Sequence, residues 1–176
     1  MTGHWLYTLL IGLVAVERLA ELVVAKRNLA WSLERGGREF AFAHYPFMVV
    51  LHTGLLAGCL AEVWFGDRSF TPALGWSMLA LVLAAQALRW WCIRALGRQW
   101  NTRIVIVADL GRISGGPYRW FSHPNYVAVV IEGFALPLVH DAWITALVFT
   151  LLNAVLLRVR IGAENDALAD FAGADR

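Results

Sequence analysis

Charge is scarce in this sequence of 176 residues: 16% of positions are Asp, Glu, Lys or Arg, against 59% hydrophobic. Ordinary soluble domains carry about 25% charged residues, so a water-soluble fold of this length is excluded. Cysteine is scarcer still. Cys59 and Cys92 lie in or near different apolar segments and match no metal or redox spacing, which leaves no disulfide framework and no thiolate metal site. They read as packing residues. The net charge of +2 gives no case for nucleic-acid binding. No internal repeat, low-complexity tract or linker marks a second domain, so 1–176 reads as one domain, with three helices in 1–95 and the remaining elements in 96–176.

What the chain has is apolar length. A spanning helix needs about 20 mostly apolar residues, and five segments approach that: Trp5–Val24, Tyr45–Phe65, Leu74–Ile93, Tyr126–Leu138 and Trp143–Leu157. The fourth is short and borrows the residues before it. The fold class expected is an all-α integral membrane protein of about five transmembrane helices. Trp5, Trp64, Trp76, Trp90, Trp91 and Trp143 fall near segment ends, where amphipathic rings prefer the headgroup level. The first segment lacks a basic n-region and a small-residue cleavage site and carries Glu17, Arg18 and Glu21, so it reads as a retained helix, not a signal peptide.

Five spans place Ala25–His44, the connection after Gly97 and the tail after Leu157 on one side. Twelve of the fifteen Lys and Arg fall there: Lys26, Arg27, Arg35, Arg38, Arg94, Arg98, Arg103, Arg112, Arg119, Arg158, Arg160 and Arg176. Only Arg68 falls on the other side, and Arg18 and Arg89 lie in or at the edge of spans. The positive-inside rule makes the basic side cytoplasmic and leaves the N-terminus outside. Nearly all non-membrane sequence is then cytoplasmic, where a polar ligand should bind.

The β-branched run Thr102–Val107, followed by a turn signal at Ala108–Gly111 and a short second run, predicts a small hairpin. Gly115-Gly116-Pro117 then reverses the chain, and Ser122 is placed to cap a helix with Pro124 in its first turn. Such a helix N-terminus suits a carboxylate or another anion; the competing reading is that Pro124 merely begins a span and His123 sits at the headgroup level. In "LLRVRIGAENDALADF", Arg160 and Glu164 share a helix face, either as a stabilising ion pair or as functional groups. Glu17, Arg18 and Glu21 must face the bundle or snorkel, forming a structural network with Arg89 or Arg94 or lining a substrate entrance. Asn28, Trp31, His44, Tyr45 and His52 suggest a polar patch near the inner leaflet. His44 and His52 are too weakly arranged to hold a metal.

Together, "GPYRWFSHPNY" (Gly116–Tyr126) and "RIGAEN" (Arg160–Asn165) resemble the isoprenylcysteine carboxyl methyltransferase family, integral membrane enzymes that use S-adenosyl-L-methionine. The resemblance is strongest over residues 100–168. In the N-terminal half, "ERLAELVVAKRNLAW" and "GGREFAFAHYPFMVVLH" look like a bacterial branch associated with methylation of polyketide-derived lipids such as alkylresorcinols and alkylpyrones, which implies a bacterial inner or plasma membrane. The resemblance implies that Gly116, Tyr118, His123, Pro124 and Tyr126 belong to the cofactor pocket, and that Arg160 and Glu164 lie at the reacting end and orient the acceptor. Where family members often carry arginine before His-Pro this chain has Ser122, and Arg119 is the residue placed to supply that cofactor contact. Where they often carry a second glutamate it has Asn165, which bears on whether the acceptor is a carboxylate.

The implied function is methyl transfer to an oxygen of a lipid or small lipophilic acceptor at the cytoplasmic membrane face. The acceptor oxygen is a carboxylate or a phenol or enol. Arg160 would orient an anionic oxygen; a phenol, with pKa near 10, needs a base, for which Glu164 and His123 are the candidates. Two rival classes are a nicotinamide-dependent membrane reductase, since "HPNY" alone also resembles membrane sterol reductases, and a non-catalytic membrane scaffold.

Overall fold

The computed structural model describes residues 2–40, 45–107, 110–111 and 113–174, with the backbone alone for 2 and 169–174. His44, Ala108, Asp109, Arg112 and Arg176 lie outside the described residues. The elements run α1 (Thr2–Leu33), β1 (Arg38–Phe40), α2 (Tyr45–Phe65), α3 (Pro72–Leu96), β2 (Ile104–Ile106), α4 (Pro124–Leu138) and α5 (Trp143–Ala174), with single 3₁₀ turns at Gly97–Gln99 and Gly116–Arg119. The five expected helices are present. Among the described residues three stretches are long and apolar enough to cross a membrane: Tyr45–Phe65, Pro72–Gln99 and Trp143–Leu168.

The other two helices depart from that standard for opposite reasons. α1 is long but carries charge: Tyr7, Ile11, Val14, Glu21, Ala25, Asn28 and Ser32, spaced three, four or seven residues apart, are buried, while Leu6, Leu9, Leu13, Val16, Leu19 and Val23 are exposed. The exposed stripe is apolar, as lipid requires; the buried one carries the polar groups, the inverse of a water-soluble amphipathic helix. α4 has 15 residues, about 22 Å at 1.5 Å per residue, short of a 30 Å hydrocarbon core. It lies between α3 and α5, and Ala128, Gly133, Ala135 and Leu136 are buried there.

Charges inside an apolar bundle must be paired, and four of them tie α1, α3 and α4 together. Arg18 donates to Glu21 at 2.5 Å and to both oxygens of Glu132 at 2.7 Å. Arg89 bonds Glu132 and stands 3.6 Å from Glu21. Arg89, not Arg94, is therefore the third-helix partner of the first helix's carboxylates. Glu17 receives the Trp90 indole N–H at 2.5 Å and the Gln86 amide. At the opposite end Glu62 of α2 accepts the backbone N–H groups of Ile144 and Thr145 at 3.1 and 2.7 Å, an anion on the positive end of α5.

Among the described residues the expected hairpin within the 102–113 segment is not seen; the turn residues Ala108 and Asp109 lie outside them. β2 instead pairs antiparallel with β1, Arg38 opposite Ile106 and Phe40 opposite Ile104, so the ladder joins the α1–α2 connection to the α3–α4 connection. Sequence separation hid that pairing, since a local turn signal cannot reveal a partner 66 residues away. Arg103 adds a side-chain link to Glu39 at 2.9 Å.

Replacing Glu132 with alanine leaves two guanidiniums with a single carboxylate. Breaking a buried pair this way costs about 3–5 kcal/mol, so Glu132→Ala should lower the thermal midpoint in detergent by several degrees. An unchanged midpoint would show that the quartet is not structural.

Candidate functional site

Two cavities meet at the end of the bundle where α5 carries Arg160. The outer one, about 140 Å³, is lined by Gln99, Arg103, Ile104–Ile106, Tyr118, His123, Glu164 and Leu168. The inner one, about 310 Å³, lies among α1, α2, α4 and α5 and is lined mainly by apolar side chains, among them Ala15, Leu19, Leu22, Val49, Leu56, Val129, Leu156 and Leu157. Leu19, Leu22 and Val49 also stand on the lipid-facing surface, 63%, 41% and 42% exposed. The inner cavity therefore opens sideways between α1 and α2. Trp100, Asn101, Asn125, Tyr126 and Arg160 line both cavities and form the wall between them.

Arg160 holds that wall together. It is 6% exposed, and a guanidinium stays charged at any relevant pH, so its N–H groups need acceptors. Nε donates to the Tyr126 hydroxyl at 2.9 Å, Nη2 to the Thr102 carbonyl at 2.5 Å, and Nη1 meets Met48 Sδ at 3.0 Å. A guanidinium has five N–H donors; three are used, leaving two on a group that lines both cavities. The Tyr126 hydroxyl in turn donates to Glu164 Oε2 at 2.5 Å. Arg160 and Glu164 are thus joined through Tyr126, not as the simple four-apart ion pair that the helix spacing suggests. His123 Nδ1 is 3.6 Å from the same Glu164 oxygen, and its ring stacks on Tyr126 with centroids 5.3 Å apart.

Local sequence explains how the loop reaches this geometry. Gly116 has φ +59°, and a Cβ there would come within 3.0 Å of Ala95 Cβ and 3.2 Å of Trp91 Nε1, so glycine alone lets the 3₁₀ turn lie against α3. That turn presents Tyr118 to the outer cavity. Burial pushes the Tyr118 hydroxyl well above the usual phenol range, with the nearby Cys92, Glu164 and Tyr126 acting in the same direction; Tyr118 is therefore a neutral hydrogen-bonding group, not a base. The cap differs from expectation. His123, not Ser122, occupies the N-cap position of α4, with no side-chain cap bond, and Pro124 follows at the start of the helix. His123 is the residue before proline, where helical backbone is disfavoured; it leaves the helix with φ −135° and ψ 63°, and its ring is turned to Tyr126 and Glu164.

Of the residues expected at the site, Tyr118, His123, Tyr126, Arg160 and Glu164 come together around the outer cavity. Gly116, Arg119 and Pro124 do not line it: Gly116 lies against α3 in the 3₁₀ turn, Arg119 is exposed at the end of that turn, and Pro124 is buried at the start of α4. The polar patch divides: Tyr45 and His52 line the inner cavity, whereas Asn28 bonds the carbonyls of Gly97 and Trp100 at 3.2 and 2.7 Å and Trp31 stacks beneath Arg35 at 4.3 Å. Sequence reasoning missed Trp100, Asn101 and Asn125. Asn125 was visible inside "HPNY", but nothing in the sequence marks Trp100 and Asn101, which Asn28 positions through backbone bonds. Both polar atoms of the Asn101 side chain and Oδ1 of Asn125 are buried without a partner, as expected of groups that a polar ligand completes. Among the described residues no cluster of His, Cys, Asp or Glu could hold a metal.

Gly116→Ala combines left-handed backbone with a contact at 3.0 Å. Strain of this kind costs about 1–3 kcal/mol, so this variant should melt lower in detergent than the wild type. Equal midpoints would mean the turn can leave α3 freely.

The sequence profile described as the isoprenylcysteine carboxyl methyltransferase (ICMT) family matches residues 78–170, which includes every residue of the wall. The Bacillus subtilis (strain 168) protein YpbQ is 36% identical over 168 residues, covering 95% of this chain and 99% of its own. In fold, the chain is similar to the solved structure of the eukaryotic intramembrane Ras methyltransferase ICMT, with a TM-score of 0.58 at 20% identity. That match covers 74% of this chain and 48% of the eukaryotic one, so this chain corresponds to about half of the larger protein. From the profile match and the relative alike end to end, the chain belongs to the isoprenylcysteine carboxyl methyltransferase family.

Proposed function

We propose that this membrane protein is an S-adenosylmethionine-dependent O-methyltransferase that binds its cofactor in the outer cavity and a lipophilic acceptor in the inner one. The observation that carries the reading is the shared wall: the outer cavity carries more of the polar and ionisable groups, the inner one is lined mainly by apolar side chains and is open to lipid, and Tyr126 and Arg160 face both. A charged cofactor arriving from water and an acceptor arriving from the bilayer would meet there without either entering the other's solvent. By the distribution of basic residues, the wall faces the cytosol.

The residues present fit such a cofactor. Tyr118, His123 and Asn125 offer hydrogen-bonding groups, and the unpartnered Asn101 amide offers a donor and an acceptor; an amino-acid end and an adenosine need both. When bound, the cofactor supplies an electrophilic methyl group on a sulfonium. The chain's own contribution is alignment and exclusion of water. Arg160, with two N–H groups to spare, orients the acceptor oxygen and stabilises it as an anion.

If the oxygen is phenolic, its proton must leave. Glu164 and His123 line the outer cavity only, so neither meets an acceptor in the inner cavity directly. Tyr126 does: its hydroxyl takes the acceptor's proton as it passes its own to Glu164, so one proton moves from acceptor oxygen to carboxylate while one methyl moves to that oxygen. A carboxylate acceptor has no proton to lose and needs only Arg160.

The reading makes three expected outcomes. S-adenosylhomocysteine should bind the detergent-solubilised protein, and His123→Ala should weaken that binding about tenfold; no binding to folded wild-type protein would overturn the cofactor assignment. Arg160→Ala should lower turnover far more than cofactor affinity, and equal losses would move Arg160 into the cofactor pocket. Tyr126→Phe should slow methylation of a phenol by roughly 10²–10⁴, the usual range for an acid–base group, and that of a carboxylate much less, through the one Arg160 contact it removes; steady-state rates with the two acceptor types decide it.

A further inference from the structure

The inner cavity contains polar groups that the methyl-transfer reading does not use. Asn153 of α5 is 2% exposed, and its Oδ1 is buried without a hydrogen-bond partner. It lines the inner cavity and not the outer. Seven residues before Arg160 on the same helix, it lies about 10 Å deeper along the bundle axis. His52 of α2 reaches the cavity at a similar level, one turn beyond Met48, which touches Arg160. Its ring meets Phe149, one turn from Asn153, with centroids 5.4 Å apart.

The hydrogen-bonding sense of both groups can be read. His52 Nδ1 is 2.9 Å from the Met48 carbonyl oxygen, and a carbonyl only accepts. In the neutral imidazole Nδ1 therefore carries the proton and Nε2 the lone pair. Oδ1 of Asn153, buried without a partner, is also an acceptor. An unpartnered amide oxygen this deep in a bundle costs free energy in every molecule that folds, and leucine would fill the same space without that cost. Arg18, Glu21 and Arg89, which also line this cavity, are engaged with one another and with Glu132, and the two remaining acceptors call for a donor.

We infer that His52 and Asn153 form a second polar subsite in the inner cavity, which selects a lipophilic acceptor carrying a hydrogen-bond donor, O–H or N–H, deeper than the oxygen that is methylated. The inference rests on the reading of this cavity as the acceptor site. It makes the acceptor bifunctional: one oxygen at Arg160 and Tyr126, and one donor one to two helical turns further into the bilayer.

The test compares two probes in nanodiscs, a long-chain 4-alkylphenol and its analogue hydroxylated on the second carbon of the chain, with binding followed by quenching of tryptophan fluorescence. Wild-type protein should bind the hydroxylated probe about tenfold more tightly, the effect of one or two good hydrogen bonds. Asn153→Leu and His52→Phe should each reduce that preference, and the double variant should abolish it. Asn153→Leu should also melt at or above the wild-type temperature without probe, as expected when a buried polar group kept for function is removed. Equal affinities in the wild type, no affinity for either probe, or a preference that survives the double variant would overturn the subsite. A lower melting temperature for Asn153→Leu with the preference intact would assign the amide a structural role, filled by water. Binding of S-adenosylhomocysteine, measured on the same samples, separates this failure from failure of the methyltransferase reading: cofactor binding with no probe preference sinks only the subsite.

Discussion

A guanidinium that cannot lose its charge, placed 6% exposed inside a membrane bundle, has to be given acceptors from whatever elements surround it. Arg160 takes them from α4 through Tyr126, from the α3–α4 connection through the Thr102 carbonyl, and rests on Met48 of α2. Desolvating that charge is affordable only if these groups stay in place. The arginine therefore fixes the loop before β2 relative to three helices. The wall between the two cavities is the geometric result, and with its spare N–H groups the same side chain is the most electropositive point on it.

The ion quartet of Arg18, Glu21, Arg89 and Glu132 does comparable work one level deeper. It joins α1 and α3 to the short α4, whose length alone would not hold it in a bilayer. Arg18, Glu21 and Arg89 also line the inner cavity, so the structural network borders the space proposed for the acceptor. Charges already neutralised by one another leave the cavity hospitable to an apolar chain, and lone charges would not.

Much of this was legible in the sequence where the signal is local. Apolar runs and their basic flanks gave five helices, and α5 continues without a break from Trp143 past Arg160 as its periodicity implied. The pairing of "GPYRWFSHPNY" with "RIGAEN" indicated residues that do converge: His123, Tyr126, Arg160 and Glu164 lie within a few ångströms of one another. What escaped is long-range. The β1–β2 ladder, the role of Glu132 as partner to two arginines, and the placement of Trp100 and Asn101 by Asn28 each depend on segments at least 43 residues apart. The cap of α4 was misplaced by one residue because Ser122 has the better capping side chain, whereas proline disfavours helical backbone at the residue before it, here His123.

The central claim is that a water-borne methyl donor and a membrane-borne acceptor meet across the Tyr126–Arg160 wall from opposite sides. Sealed vesicles with the protein in one known orientation test it most directly, by supplying methyl-labelled S-adenosylmethionine to one face at a time and counting label in the extracted lipid. The account predicts labelled lipid only when the cofactor is given to the face that carries the C-terminal end of α5. Label appearing from the other face, or only in water-soluble product, would contradict it.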